Sequence, residues 1–292
     1  MLRSMYAGIS GMKNFQTKLD VIGNNIANVN TTGYKKATVT FQDLMSQTTT
    51  GAQGATENRG GINASQVGLG SKLGTISNIH TQGFQQTTNN PLDFAIEGDG
   101  MFVVASDLVP DGESINLNES STAYTRAGNF YLDDEGAIVN PQGLYLIGFG
   151  VTEETEDTPE TINSDVLSKI EIPTDAQSFS VQTNGTVNYI DAAGNTRIAG
   201  QVALANFSNP AGLQKDGSNL YLNSENAGLV DGLVTPEADG AASIISGSVE
   251  MSNVDLSEEF TEMITAQRAF QANTRIITTS DEILQELVNL KR

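Results

Sequence analysis

The first thirty residues carry apolar side chains at steps of three or four residues. That spacing places them on one face of an α-helix, so residues 1–33 are predicted to form an N-terminal helix with one apolar stripe. Gly8, Gly11 and Gly23 lie within it, and each costs about 1 kcal/mol relative to alanine in an isolated helix. We therefore expect this helix to need a packing partner. The apolar stripe consists of Leu2, Met5, Ile9, Met12, Phe15, Leu19, Ile22, Ile26 and Val29.

Residues 251–292 predict a second and longer helix. Asp255, followed three residues later by Glu258, is typical of a helix N-cap. An apolar residue then recurs every seven positions, which is typical of a coiled-coil-like seam. The seam consists of Met263, Phe270, Ile277 and Leu284, and it is flanked by Leu256, Phe260, Ile264, Leu287 and Val288. Polar residues at 267, 274 and 281 interrupt its second row. The seam is therefore predicted to be too thin for a strong autonomous dimer.

A run of asparagines closes the N-terminal stripe. Asn24, Asn25 and Asn28 are followed by Gly33, and both residue types are common where a helix ends and the chain turns. We interpret them as helix-end and turn residues. A direct role between subunits is the alternative.

The middle of the chain changes from polar linker to β-structure. Residues 34–90 are rich in small and polar side chains and predict an extended linker. Residues 91–227 alternate short apolar runs with turn signals such as Asp99-Gly100, which predicts a hairpin, and Asn184-Gly185. They predict a mostly antiparallel β-domain, and residues 228–250 a return linker. The fold class expected from the sequence is therefore α+β, with long N- and C-terminal helices around a β-domain.

Charge and apolar content exclude two classes of function. The formal net charge is −20, and residues 91–171 hold seventeen carboxylates against Arg126 and Lys169. Phosphate backbones need a positive surface, so we expect no nucleic-acid partner. A membrane span needs about 20 consecutive apolar residues, and no such run occurs, so we expect no membrane insertion. The N-terminus also lacks the apolar core of a secretory signal peptide.

The sequence offers little for catalysis. It has no cysteine and only one histidine, His80, which we interpret as a surface or packing residue. No hydrolase, zinc-protease or phosphate-loop motif is present. An enzyme would have to use the carboxylates around Asp133 and Glu153, but Asp is also favoured in turns for backbone reasons. We therefore expect no enzymatic activity, no cofactor and no metal site.

Four stretches resemble the flagellar rod and hook protein family. Residues 19–36 (LDVIGNNIANVNTTGYKK), preceded by 10–12, are similar to its N-terminal motif. Residues 252–256 (SNVDL) and 266–273 (AQRAFQAN) resemble its C-terminal motif. Residues 92–100 (LDFAIEGDG) and 124–130 (YTRAGNF) match it in the interior. The four stretches occur in order and span most of the chain.

The resemblance implies an architecture and a role. The terminal helices would pair as a coiled coil in the inner wall of a helical tube, with the β-domain outside. The self-assembly interface would consist of Leu2, Met5, Ile9, Met12, Leu19, Ile22, Ile26, Val29, Leu256, Phe260, Met263, Phe270, Ile277, Leu284 and Val288. The subunit would leave the cell through the flagellar type III export apparatus without a cleaved signal peptide and become part of the extracellular flagellum.

Within the family, the length and the C-terminal ending favour the hook protein of Gram-positive bacteria. The subunit would then polymerise into a curved tube that transmits motor torque to the filament. Its partners would be further copies of itself, the distal rod protein, the hook cap protein and the hook–filament junction protein. The distal rod protein is the alternative, since no second outer β-domain follows Gly150. A carbohydrate-binding or adhesive β-domain, suggested by Asn- and Thr-rich turns, is an alternative of another class.

Overall fold

The computed structural model describes residues 2–55, 59–111, 114–116, 120–152, 161–238, 240 and 242–290. The chain forms two compact units. The first contains Met1–Asn28, Lys36–Ile79 and Val254–Arg292, and the second contains Val29–Lys35 and His80–Asn253. The α+β class predicted from the sequence is confirmed. The coiled-coil geometry of the terminal helices stays a prediction.

Two helices dominate the first unit. Helix α1 spans Leu2–Ala27 and helix α2 spans Leu256–Asn289. They pack side by side and run antiparallel: Gly8 near the start of α1 lies beside Ile277 of α2, and Asn25 near its end bonds to Glu259. As predicted, Asp255 caps α2, and its carboxylate accepts a hydrogen bond of 2.8 Å from the Ser257 N–H.

Four strands complete the first unit. They are β1 (Ala37–Asp43), β2 (Gln47–Thr50), β3 (Ser65–Val67) and β4 (Ser71–Asn78). Strand β1 pairs with β4 and β2 pairs with β3, both antiparallel. The Phe41 ring of β1 packs edge-on against Phe15 of α1, with the ring centroids 5.7 Å apart.

The prediction of an extended linker at 34–90 therefore differs from the structure. Strand β1 does alternate, with Ala37, Val39 and Phe41 separated by polar residues, but most side chains of the four strands are polar and exposed, which favoured the linker interpretation. They are held by backbone pairing and by cross-strand hydroxyl contacts such as Thr40 to Thr75 at 2.7 Å.

The second unit is built from antiparallel strands. The strands are β5 (Gln85–Thr87), β6 (Phe94–Glu97), β7 (Met101–Ser106), β8 (Pro110–Asp111), β9 (Ser114–Ile115), β10 (Ser121–Thr125), β11 (Tyr131–Leu132), β12 (Ile138–Val139), β13 (Tyr145–Thr152), β14 (Thr161–Lys169), β15 (Ser178–Val181), β16 (Thr186–Ile190), β17 (Thr196–Val202), β18 (Leu204–Phe207), β19 (Gln214–Gly217), β20 (Leu220–Leu222), β21 (Leu229–Val234), β22 (Ser243–Ser246) and β23 (Ser248–Glu250). The main sheet runs in the order β15-β16-β17-β13-β7-β10-β20-β19. A 3-10 turn at Pro210–Gly212 follows β18.

The sequence of strand β7 is apolar without alternation, and the position of this strand in the fold explains why. Successive side chains of a strand point to opposite faces. Phe102 and Val104 join one buried cluster, whereas Met101, Val103 and Ala105 join another on the opposite face. Both faces of this strand are therefore core.

The turn signals were correct at one hairpin and wrong at another. Asn184-Gly185 joins β15 to β16, with Val181 opposite Val187. The hairpin predicted at Asp99-Gly100 is wrong, because β6 pairs with β22 and β7 pairs with other strands. Gly98 and Gly100 both adopt positive φ, at 119° and 142°, and lead the chain out of β6 into a different sheet.

The segment 228–250 is not a linker either. Strand β21 pairs with β18, β22 with β6, and β23 with β5. Each pair joins this segment to residues far away in the sequence. Local patterns do not report such long-range partners, which is why the sequence failed to predict these strands.

Candidate assembly surface and a buried ion cluster

The surface between α1 and α2 follows a seven-residue repeat with two rows on α2. The predicted row of Met263, Phe270, Ile277 and Leu284 is half-buried. The second row is not the one read from the sequence. It consists of Glu259, Ala266, Asn273 and Ser280, which are buried or half-buried.

Small residues let the helices approach closely at this second row. A Cβ added to Gly11 would lie 2.9 Å from Nδ2 of Asn273, and one added to Gly8 would lie 3.4 Å from Ile277. Gly23, in contrast, has nothing within 4 Å of such a Cβ. Of the three glycines that weaken α1, Gly11 therefore permits a close approach of the helices, whereas a Cβ at Gly8 would lie at an ordinary contact distance.

The structure places the predicted stripe of α1 on the packed side of that helix. Ile22 is buried, and Met5, Ile9, Met12, Leu19 and Ile26 are half-buried. Leu2 begins α1, whereas Val29 lies beyond its end in the second unit.

Helix α2 also carries apolar side chains that the described residues leave exposed. The predicted residues Leu256, Phe260 and Val288 are exposed. So are further large apolar residues of the helix and its end: Ile264, Ile276, Ile283, Leu287 and Leu290. Large apolar side chains exposed along one helix are typical of protein-binding surfaces, so α2 is a candidate for one.

Asn25 connects three segments of the first unit. Its amide donates to the Ala37 carbonyl at 2.9 Å and to Oε2 of Glu259 at 3.1 Å, and its Oδ1 accepts from the Ala37 N–H at 3.0 Å. Burial raises the pKa of Glu259, although the Asn25 hydrogen bond works against that rise. Asn25 therefore does more than end a helix, because it fixes α1, β1 and α2 relative to each other.

The other predicted turn residues act locally. The Asn28 amide donates to the Asn24 carbonyl at 2.9 Å, one turn back at the end of α1. Gly33 adopts a φ of 69°, and a Cβ there would lie 2.5 Å from the Ala127 nitrogen. A residue with a side chain would not fit at Gly33.

The second unit contains a buried ion cluster that was not predicted from the sequence. Nζ of Lys35 lies 2.6 Å from Oε1 of Glu250, and Nη1 of Arg126 lies 3.0 Å from Oε2 of the same carboxylate. The side chains of Lys35 and Glu250 are fully buried and that of Arg126 nearly so.

Backbone groups complete this cluster. The Gly83 N–H donates to Glu250 at 2.8 Å, Lys35 donates to the Thr81 carbonyl at 2.8 Å, and Arg126 donates to the Gly98 carbonyl at 2.6 Å. Because buried charges are costly unless paired and hydrogen-bonded, this saturation is what makes the cluster tolerable.

The charges set the protonation of the cluster. Burial alone opposes ionisation of Glu250, but Arg126 and Lys35 hold the pKa of this carboxyl below its ordinary value. Burial lowers the pKa of Lys35, and the attraction of Glu250 limits the effect. Glu250 is therefore ionised at neutral pH, and the Lys35 and Arg126 side chains are paired with it.

His80 packs beside this cluster. Its ring lies 5.7 Å from that of Tyr221, and both ring nitrogens are buried without a hydrogen-bond partner among the described residues. Burial, aided by the Lys35 and Arg126 cations, lowers the pKa of His80 to about 4. The residue also lines a cavity of about 200 Å³ together with Arg126. It is a neutral packing histidine.

The described residues bring no catalytic or metal-binding constellation together. They contain no cluster of three His, Cys, Asp or Glu side chains with metal-binding geometry. Asp133 lies in the turn between β11 and β12, where its carbonyl accepts from the Gly136 N–H at 2.9 Å, and Glu153 lies outside the described residues. No helix within these residues is long and apolar enough for a transmembrane span.

Three family models match the chain. Residues 5–35 match one described as flagella basal body rod protein, and residues 95–189 match the D1 domain of flagellar hook protein FlgE/F/G. Residues 245–290 match one described as the C-terminal part of flagellar basal body rod FlgEFG protein.

Relatives match from end to end. The flagellar basal-body rod protein FlgG of Bacillus subtilis is 52% identical over 292 residues, which covers 100% of both chains. FlgG of Caulobacter vibrioides is 36% identical over 293 positions, covering 99% of this chain and 100% of its own. The flagellar hook protein FlgE of Borreliella burgdorferi is 30% identical over 454 positions, covering 100% of both chains.

Proposed function

Because the chain belongs to the family of flagellar basal-body rod and hook proteins, we propose that it is a structural subunit of the distal rod. Members of this family are structural proteins, so the chain is not an enzyme and its place is the flagellum. Its work is mechanical: it contributes one repeat to a helical tube.

Rod is favoured over hook, against the expectation from the sequence. The alignment with the rod protein of Bacillus subtilis has 292 positions, which is the length of this chain, whereas the alignment with the Borreliella hook protein extends over 454 positions. That hook protein therefore contains long stretches without a counterpart here. The ending of the chain, which suggested a hook protein, is shared between the two kinds of protein and does not separate them.

We propose that the terminal helices supply the contacts between subunits. The exposed apolar residues of α2 support this, since the described residues leave them open to solvent. Contacts between unlike surfaces do not close a ring and generate an open helical polymer. In the tube, α1 and α2 pair as a coiled coil in the inner wall, with interface residues Leu2, Met5, Ile9, Met12, Leu19, Ile22, Ile26 and Val29 of the N-terminal segment and Leu256, Phe260, Met263, Phe270, Ile277, Leu284 and Val288 of α2.

The proposed partners follow from a rod position. They are further copies of this chain, neighbouring basal-body proteins, including the hook that continues the tube, and the flagellar type III export apparatus. Export without a cleaved signal peptide is part of the same proposal.

The carbohydrate-binding alternative has lost its motivation. It arose from Asn-rich turns, and the turn asparagines satisfy their own backbone. Oδ1 of Asn140 accepts from the Leu144 N–H at 2.9 Å, and Oδ1 of Asn184 accepts from the Thr186 N–H at 3.0 Å. Such bonds explain the composition without a ligand.

Immunogold labelling of isolated hook–basal bodies tests the rod proposal. We expect label on the straight rod. Label confined to the curved hook would overturn the rod in favour of the hook. Electron microscopy of the purified protein tests polymerisation itself, and monomers that persist under all assembly conditions would count against both.

A further inference from the structure

Glu259 is a buried carboxyl group in the first turns of α2, in the row of that helix that faces α1. Only 4% of the residue is exposed. Its Oε2 accepts a hydrogen bond of 3.1 Å from the Asn25 amide of α1. A carboxylate in such a position loses its hydration, and the burial of its charge is costly unless a cation compensates for it.

A cavity of about 180 Å³ lies beside this carboxyl group, within the first unit. Its charged lining residues are Lys18 of α1, Lys36 before β1, and Glu258, Glu259 and Glu262 of α2. The other residues that line the cavity are uncharged. Three carboxyl groups therefore share two ammonium groups.

Both lysines of the cavity are paired with the other two glutamates. Nζ of Lys18 lies 3.0 Å from Oε2 of Glu262. Nζ of Lys36 lies 2.8 Å from Oε2 of Glu258. The ion pairs among the described residues do not include Glu259. The most buried of the three carboxyl groups is therefore the one without a bonded cation.

Burial and neighbouring charge both disfavour the ionised form of Glu259. Burial is the largest influence and raises the pKa of this carboxyl group, and the negative charges of Glu262 and Glu258 raise it further. The Asn25 hydrogen bond and the Lys36 charge act in the opposite direction, but the pKa stays above its ordinary value. Uptake of a proton therefore removes the cost of burying a charge here.

We propose that Glu259 is a proton-dependent switch that stabilises the junction of α1, β1 and α2 in mild acid and weakens it at neutral pH. In acid the carboxylate binds one proton and becomes neutral, and at neutral pH it returns that proton to the solvent. The switch belongs to the single chain, so it goes beyond the proposed polymer function and does not depend on it.

The direction of the effect follows from the folded and unfolded pKa values. The folded-state pKa of Glu259 lies above the unfolded value of about 4.3, so between the two values the folded chain binds more protons. The free energy of unfolding of this junction therefore falls as the pH rises through that interval. His80 in the second unit responds in the opposite sense, because its folded-state pKa is lowered. Mild acid thus favours the first unit through Glu259 and disfavours the second through His80.

Carbon-13 NMR of the side-chain carboxyl groups in the monomeric protein measures the proton uptake. The Glu259 signal is identified as the one missing from the Glu259→Gln variant. If that variant does not fold, through-bond assignment of the unmodified chain identifies the signal instead. We expect it to titrate above the ordinary glutamate value of about 4.3. A midpoint at or below that value would overturn the proposal.

Amide hydrogen exchange at residues 256–263 measures the consequence for the junction. Exchange is expressed as protection factors, which correct for the effect of pH on the exchange reaction itself. In the unmodified chain we expect severalfold stronger protection at about pH 5 than at about pH 7. In Glu259→Gln the protection should not depend on pH in this range, because the amide does not titrate. Protection that is constant in the unmodified chain, or that changes equally in the variant, would refute the switch.

Two further variants separate the cavity from the net charge of the helix. Glu282→Gln removes one exposed carboxylate of α2 outside the cavity and should leave the pH dependence of protection intact. If it abolished that dependence as Glu259→Gln should, net charge would be the cause and the proposal would fail. Glu258→Gln removes a neighbouring carboxylate and releases Lys36, so the midpoint of Glu259 should decrease. A midpoint that stays the same or rises would contradict the role of this cluster.

Discussion

Lys35 and Glu250 lie 215 positions apart in the chain and form an ion pair of 2.6 Å with no exposed side-chain surface. Arg126 shares the same carboxylate. One residue near each end of the chain and one from its middle thus depend on a single buried group. Removal of this carboxylate should therefore reduce stability more than the loss of an exposed ion pair does.

Glu250→Gln should strongly destabilise the protein. The amide keeps the shape of the side chain but leaves Lys35 and Arg126 buried without a counter-ion. Breaking a buried pair in this way costs about 3–5 kcal/mol. Urea unfolding of the monomer, followed by circular dichroism, gives the change in the free energy of unfolding.

The matched control for that substitution is Glu258→Gln. Glu258 pairs with Lys36 at 2.8 Å, but its side chain is half-exposed, and such pairs contribute less than about 1 kcal/mol. Equal losses in the free energy of unfolding for the two variants would show that the buried cluster contributes no more to stability than an exposed ion pair.

Acid should destabilise the protein through His80. The folded-state pKa of His80 is about 4, below the unfolded value of about 6.5. Stability from the neutral ring is therefore complete above the unfolded pKa and is lost as the pH falls towards the folded pKa. One pKa unit corresponds to about 1.4 kcal/mol, which limits the loss to about 3 kcal/mol.

His80→Phe isolates this effect, since it keeps an aromatic ring beside Tyr221 and does not titrate. The free energy of unfolding of both proteins is measured from about pH 7.5 to pH 4.5. The parent should lose more than the variant over this range. Glu250, whose pKa is lowered, adds a loss at acid pH that both proteins share. Parallel curves would contradict the prediction.

Asn25→Ala should weaken the junction between α1, β1 and α2. It leaves the Ala37 N–H and the Glu259 carboxylate without the amide that they contact. An unsatisfied buried polar group costs about 1–3 kcal/mol, measured as a shift in the unfolding midpoint. Asn28→Ala is the comparison, because its hydrogen bonds to Asn24 are exposed, and a comparable loss there would argue against a special role of Asn25.

Substitution of glycine by alanine should change stability in opposite directions at two positions of α1. Gly11→Ala pushes a methyl group against Asn273 at 2.9 Å and should destabilise the helix pair. Gly23→Ala meets nothing within 4 Å and should stabilise α1 by up to about 1 kcal/mol through helix propensity. Thermal unfolding of both variants measures the difference, and stabilisation by Gly11→Ala would show that the close approach is unimportant.

Removal of residues 255–292 should leave the second unit folded and abolish polymerisation, because that unit ends at Asn253 and retains Glu250. On the same sample, near-ultraviolet circular dichroism measures whether the second unit is folded, and electron microscopy shows whether polymers form. Glu250→Gln within the truncated chain should unfold it. A truncated chain that still forms tubes would refute the role of α2 in assembly.

The two helices were predictable because their information is local. Apolar residues at steps of three, four and seven indicate both helices, and Asp255 as N-cap marks the observed start of α2 at Leu256, although the predicted bounds 251–292 begin five residues earlier. The second row of its seam was misjudged because its members, such as Ala266 and Ser280, are small. Burial there depends on the closeness of α1, which composition does not reveal.

The ion cluster was beyond prediction for a different reason. Lys35 and Arg126 lie in stretches noted only for their family resemblance, and Glu250 was assigned to a linker. A possible signal was Arg126 itself, one of two basic residues among seventeen carboxylates in residues 91–171. An isolated cation in an acidic region is a candidate for a buried role, but its partners lie too far along the chain for spacing to identify them.

Synthesis from the N-terminus delivers Lys35 and Arg126 long before Glu250. Until that late residue appears, folding the earlier segments would bury two cations with nothing to neutralise them. A chain that lacks Glu250 therefore cannot complete the cluster, and only a chain that has reached residue 250 can fold this unit into its final form.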